Sequence, residues 1–218
     1  MMAARDDFWI RIEGIGGHGA HPHQAIDPVV TAAYVATALQ SVVSRNLDPM
    51  QSAVITLHSV QAGTPIEIGT PTQSVTIPPV LDFAGVAKWF DPQTGDCLER
   101  RIREVATGCA AAFGAAAEVT YKRFLPATVN TSEQAVRVAR VAMTVVGRDN
   151  VKPDIPPSMG SEDFSFMLQV KPGAYFRLGI GDVGGCFLHN PRYDFNDEAI
   201  VIGSALFIGI AEDELPMS

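Results

Sequence analysis

Three of the chain's five histidines, His18, His21 and His23, fall within the loop GIGGHGAHPHQAI. Imidazole is the side chain best suited to bind a transition metal or exchange a proton near neutral pH. His21-Pro22-His23 offers two rings to one cation, but no carboxylate or thiolate lies in the loop to neutralise a dication. A loop histidine that hydrogen-bonds a substrate fits the same residues, and so does a polar turn with no chemistry. Gly14, Gly16 and Gly19 spell G-x-G-x-x-G after a strand-like segment. The pattern lacks the helix that should open at its third glycine and the acidic residue a dinucleotide ribose needs, so turn glycines are the better reading. His189 follows a glycine-rich stretch in GGCFLHNPRYDFNDE, where a layered α/β fold places ligands. A single histidine cannot hold a metal, because a zinc site takes three or four protein ligands. Ser161, Glu162 and Asp163 read as the capped start of a short helix, and His58 as a strand residue. No G-x-S-x-G elbow, P-loop or C-x-x-C occurs.

The elements that must position these residues follow from periodicity. Phe8, Ile10 and Ile12 alternate with Trp9, Arg11 and Glu13, which predicts a half-buried strand. Asp27-Pro28 opens a helix running to about Ser44. Strands are expected over Ser52–Val60, Val80–Trp89 and Ala117–Phe124, with a long irregular connection over 62–79. Leu98, Ile102, Val105, Cys109 and Ala112 mark a helix ended by Gly114. The order strand, helix, strand, strand, helix, strand predicts a ferredoxin-like domain over 1–124. Residues 125–218 read as part of a layered α/β domain. There a helix is expected over Ser132–Val146, an extended piece over Val151–Ile155, a short helix from Ser161, a buried strand over Ala174–Ile180 and a last helix over Ala199–Ala211.

Composition bounds the function. At 218 residues, 47% hydrophobic and 18% charged, the chain has the makings of one or two cores and is not disordered in bulk. A formal charge of −8 without a basic run argues against nucleic acid or an anionic membrane as partner. Cys97, Cys109 and Cys186 make an odd number without metal-ligand spacing, which predicts reduced thiols and a cytoplasmic setting. No apolar run reaches the roughly 20 residues of a spanning helix.

Five landmarks in order (GIGGHGAHPHQAIDPV, VSRNLDP, WFDP, SMGSEDF, and PGAYFRLGIG leading to LHNPRYDFNDE) resemble the metal-dependent amidohydrolases of metallopeptidase family twenty. These include the hippurate hydrolases, aminoacylases and auxin-conjugate hydrolases. The resemblance implies a lid and dimerisation domain at 1–124, followed by the C-terminal part of a di-zinc exopeptidase domain at 125–218. The segment carrying most metal ligands and the catalytic carboxylate would lie upstream of the lid. It implies hydrolysis of N-acyl amino acids or small peptides by a metal-activated water, with zinc or manganese as cofactor, and a homodimer formed through the lid. Without its upstream half the chain would be inactive alone, and a non-catalytic dimerising or binding protein built on the lid is the alternative. Carried over by position, His189 matches the last metal ligand and His18 a lid histidine that reaches the neighbouring subunit's substrate carbonyl. His23 matches a second substrate-side histidine, and Gly160 and Glu162 lie in a motif near the substrate pocket. Two departures stand out. The segment GTPIEIGTPTQSVTIPP has Val75 near the place of an expected asparagine. Lys88 in GVAKWFDP replaces an arginine, keeping the charge but losing the planar fork that grips a carboxylate.

Overall fold

The computed structural model describes residues 1–65, 67–69, 75–181, 186 and 188–215. Its strands are β1 (Ala4–Glu13), β2 (Gly17–His18), β3 (Val54–Ala62), β4 (Thr76–Ile77), β5 (Val80–Trp89) and β6 (Ala116–Leu125). Its α-helices are α1 (Pro28–Asn46), α2 (Pro92–Ala112), α3 (Ser132–Val146), α4 (Phe164–Val170) and α5 (Glu198–Glu214). The chain forms two compact units. One is Met2–Ala127 together with Ser158–Glu162; the other is Met1, Thr128–Pro157 and Asp163–Ser218. Residues 125–218 are therefore not one continuous block, because Ser158–Glu162 folds with the first unit.

In the first unit, four antiparallel strands lie in the order β3-β5-β1-β6, the split βαβ arrangement of a ferredoxin-like fold. The period-two alternation begins earlier than Phe8. Ala4 and Asp6 continue the inward row, and both are buried with Phe8, Ile10 and Ile12. Leu81, Phe83, Ala87 and Trp89 of β5 face the same side. Val35, Leu39 and Val42 of α1 and Leu98, Ile102, Ala106 and Ala110 of α2 cover it. Each large side chain removed from water here contributes about 1.5–3 kcal/mol. Both helices start at an Asp-Pro pair. Asp27 accepts from the Val29 and Val30 amides at 2.8 and 3.4 Å, and Asp91 accepts from the Thr94 amide at 3.1 Å, each before a proline fixed for the first turn. α2 thus opens at Pro92, ahead of the apolar stripe that announces it. His58 lies in β3, where the register to β5 shifts between Leu57 and Ser59.

In the second unit α3 packs on α5. A Cβ at Gly209 would stand 2.9 Å from Val141 Cγ1, so glycine allows the close helix approach, and Arg140 pairs with Asp213 at 2.7 Å. The buried strand expected over Ala174–Ile180 does not form. The segment is irregular and at most partly buried, and among the described residues no ladder partner runs beside it. A strand exists only through a neighbour that exchanges backbone hydrogen bonds. Side chains act in its place: Asn130 both donates to the Tyr175 carbonyl and accepts from its amide, each at 2.8 Å, and Asn196 donates to the Ile180 carbonyl at 3.0 Å. Residues 151–157 likewise hold a turn and no strand. The glycine-rich loop expected after Ile180 lies, from residue 182 to 185, outside the described residues, as do 66 and 70–74 of the irregular connection.

Candidate functional site

β1 hands the chain to the histidine loop through close backbone contacts. The Gly14 amide donates to the Pro79 carbonyl at 2.9 Å, and Ile15 and Ile26 exchange hydrogen bonds at 2.9 and 3.0 Å. β2 then pairs with β4, placing His18 opposite Thr76. The glycines exist for these approaches: a Cβ would lie 2.1 Å from the Ile26 carbonyl oxygen at Gly14 and 2.6 Å from the Val75 carbonyl oxygen at Gly19. No helix opens at Gly19, so the loop is not a pyrophosphate cradle.

His18 sits exposed at the head of this loop. Its Nδ1 accepts from the Ala20 amide at 3.1 Å, so in the neutral ring the proton sits on Nε2, which is left as a donor. The His21 amide donates to the His18 carbonyl at 2.8 Å, and the rings of His18 and His21 stand 5.5 Å apart, those of His21 and His23 6.0 Å. All three rings are exposed. They cluster without converging: among the described residues no group of three or more His, Cys, Asp or Glu side chains is placed to hold a metal.

The SMGSEDF segment lies at the opposite end of β1. Met2 forms a parallel bridge with Ser158, and the Ala3 amide donates to the carbonyls of both Ser158 and Gly160 at 3.0 Å. The Gly160 amide turns back onto Ser158 Oγ at 3.1 Å. Lys88, near the end of β5, donates to the Met159 carbonyl at 2.8 Å and to Ser161 Oγ at 3.1 Å. Ser161 and Glu162 therefore do not open a helix as the sequence suggests. α4 starts at Phe164, because the preceding residues are held on the sheet instead. Burial, with the Arg5 charge beside it, pushes the Lys88 ammonium below the ordinary lysine range. Ten residues of β1 separate this strip from the histidine loop, roughly 30 Å at about 3.3 Å per residue. Within one copy of this unit, Gly160 and Glu162 are not brought to His18. The sequence singled out Lys88 only as a missing arginine, and its bonds to residues 71 and 73 positions away leave no local signal.

His189 belongs to the second unit, in a turn before α5. Its φ of 70° makes it the one non-glycine residue in left-handed conformation among those described, a geometry that neighbouring structure must enforce. Among the described residues it meets no set of co-ligands, so these do not by themselves build a metal site.

Residues 12–213 match the family described as Peptidase family M20/M25/M40. The chain is 32% identical over 212 residues to a hippurate hydrolase of Campylobacter jejuni, covering 97% of this chain and 52% of that protein. It is 33% identical over 211 residues to an N-acetylcysteine deacetylase of Bacillus subtilis, again covering 97% and 52%. A solved Bacillus subtilis protein described as a dinuclear metal binding peptidase superposes with a TM-score of 0.67 at 25% identity, over 99% of this chain and 51% of that one. The chain spans about half the length of the curated relatives it matches.

Proposed function

Because the chain belongs to peptidase family M20/M25/M40, we propose that it forms the lid and C-terminal part of a metal-dependent amidohydrolase acting on N-acyl amino acids or small peptides. The observation that carries this reading is the match, over nearly all of the chain, to two enzymes whose names describe release of an acyl group from an amino acid. Two further features support it. The second unit leaves Val201, Phe207 and Ile208 of α5 exposed by 74%, 65% and 60%, on a helix apolar nearly all round. Such a helix belongs inside a larger layered domain. Beside it, the apolar segment Ala174–Ile180, whose Phe176 ring packs 5.7 Å from that of Phe207, would pair as a strand with neighbours from other polypeptide.

In this reading His189 supplies one imidazole to a zinc or manganese pair whose other ligands come from the rest of the relatives' length. Bound there, the metals would lower the pKa of a water and polarise the amide carbonyl. His18 donates its Nε2–H to the oxygen that gains charge as the amide is attacked. Its Nδ1 is already committed to the Ala20 amide, so the tautomer is set before substrate arrives. Since β1 separates it from Gly160 and Glu162 of its own lid, His18 serves the site of a second subunit in a homodimer. The outer edges of β3 and β6, which have no strand beside them among the described residues, offer the backbone groups for pairing lids. His23 stands on the same loop, on the substrate side. Three free cysteines fit a cytoplasmic setting, and among the described residues no helix is long and apolar enough to cross a membrane.

The test supplies the rest of the relatives' length as a second polypeptide and measures bound metal and hydrolysis of hippurate and N-acetylcysteine. A His18→Ala chain is then mixed with a His189→Ala chain. One site of each mixed dimer keeps both functions, so activity rises above either parent. Single-donor deletions of this kind cost about 3–4 kcal/mol of transition-state stabilisation. Verified mixed dimers without recovery eliminate action across the interface. A complete assembly that binds no metal and hydrolyses nothing makes the lid a dimerising binding module instead.

A further inference from the structure

We propose that Lys88 is a positioning residue that fixes the Ser158–Glu162 strip on the lid sheet, and not a grip for the substrate carboxylate. The placement of its ammonium carries the argument. Two of its three N–H donors are directed at acceptors of the strip, the Met159 carbonyl at 2.8 Å and Ser161 Oγ at 3.1 Å. A tetrahedral ammonium suits two acceptors on different residues, whereas the planar guanidinium fork suits the paired oxygens of one carboxylate. The charged groups around Lys88 are also committed. Arg5 is its register partner on β1, and Arg5 donates to both carboxylate oxygens of Asp7, at 2.8 and 3.3 Å. Val54, its partner on β3, carries no charge.

The strip is also held to the start of β1 by the Met2–Ser158 bridge and the two hydrogen bonds accepted from the Ala3 amide. Lys88 therefore closes a clamp from β5 opposite the one from the start of β1. Gly160 is held between these fixed points and Glu162 follows directly after Ser161, so the position of both follows the lid sheet. Burial and the neighbouring Arg5 charge lower the affinity of Lys88 for its proton, which is consistent with an ammonium shared by protein acceptors rather than open to solvent. The functional consequence, that the lid sets where this strip meets substrate, rests on the amidohydrolase reading. The clamp itself does not.

The chain as it stands allows the test. Hydrogen exchange is followed at the Ala3 and Gly160 amides, with the Ile10 and Phe83 amides in mid-sheet as controls. Lys88→Met keeps the aliphatic stem and removes the donors; it should lower protection of Ala3 and Gly160 about tenfold and leave the controls unchanged. Lys88→Arg should recover part of that loss, and Ser161→Ala should lose about threefold at the same two amides. The Lys88 Nζ–H resonance should be resolved and should stay in place when N-acetylglycine is added. Unchanged protection of Ala3 and Gly160 in Lys88→Met overturns the proposal, as does a Lys88 resonance that moves with carboxylate. If Lys88→Met lowers all four amides together, Ser161→Ala decides: a loss confined to Ala3 and Gly160 sustains the clamp, and no loss ends it. None of these readouts uses hydrolysis, so an inactive assembled enzyme refutes the amidohydrolase reading and leaves this result standing.

Discussion

Asp6 is the most consequential polar residue of the first unit's core, and its replacement tests how that core is balanced. The carboxylate is 1% exposed. One oxygen, Oδ2, accepts from Trp89 Nε1 at 2.6 Å and from the Tyr121 hydroxyl at 2.8 Å, with Arg123 Nε at 3.6 Å. The other, Oδ1, is buried without a partner among the described residues. Burial is the dominant influence and raises the Asp6 pKa above its ordinary 3.8, while the Trp89 and Tyr121 donors and the Arg123 charge pull it back. Burial beside the Asp6 charge likewise pushes the Tyr121 hydroxyl up. Asp6→Ala strands two donors and a partly buried guanidinium, and breaking such a cluster costs about 3–5 kcal/mol. Asp6→Asn keeps an acceptor for Trp89 and Tyr121 and should cost about 1–2 kcal/mol at neutral pH.

The pH dependence has a definite sign. An acid whose pKa is raised on folding is most favourable to the native state below its unfolded pKa. That advantage is lost as pH rises from about 3.8 to the raised folded value. The amide that Asp6→Asn introduces cannot titrate, so the stability lead of the natural chain over this variant should be largest in acid and shrink upward through this window. Urea unfolding followed by tryptophan fluorescence reads it directly, because both tryptophans, Trp9 and Trp89, lie in the first unit. A lead that grows with pH would refute the argument, since it would mean an aspartate whose ionised form the fold prefers.

Two further substitutions probe the elements around the candidate residues. Gly14→Ala drives a Cβ against the backbone oxygen of Ile26. It should cost about 1–3 kcal/mol and free the Ala20 amide from His18 Nδ1, seen as a shift of the His18 ring resonances, while Gly108→Ala, which meets nothing within 4 Å, should shift neither. Asn130→Ala removes two hydrogen bonds from the Tyr175 backbone, for about 1–3 kcal/mol. Faster exchange of the Tyr175 amide with an unchanged tryptophan-detected transition is the expected result, and equal loss in both would show that the two units unfold together.

The elements readable from the residues are those whose signal is local. Alternation over Phe8, Ile10 and Ile12 marks β1, and Asp27-Pro28 marks α1 to the residue, because a cap acts within one turn. What stays hidden depends on partners distant in sequence. β2 and β4 are two residues each and exist only because Gly17 and His18 meet Thr76 and Ile77. Ser161 has the composition of a cap, yet a lysine far away in sequence takes its hydroxyl. Ala174–Ile180 has the apolar content of a buried strand, but content does not supply a neighbour. His18 is legible as a residue type in a glycine-lined turn; which of its ring nitrogens is engaged is not, since that is set by one backbone amide.

The same contrast bears on how the lid would work. β1 is one rigid, centrally paired strand, with the histidine loop leaving its end and the Ser158–Glu162 strip bound at its start. A strand flanked on both sides by antiparallel neighbours does not shorten, so no motion within this unit carries His18 to Gly160 or Glu162. A reaction that needs an imidazole at one place and this strip at the same place must draw them from two copies of the lid. Bending is excluded by the ladder, and sliding by the alternation of Phe8, Ile10 and Ile12, because a one-residue slip would turn all three out of the core. Within one unit, then, His18 and the strip stay apart, and a site that used both would follow the proposed pairing of subunits.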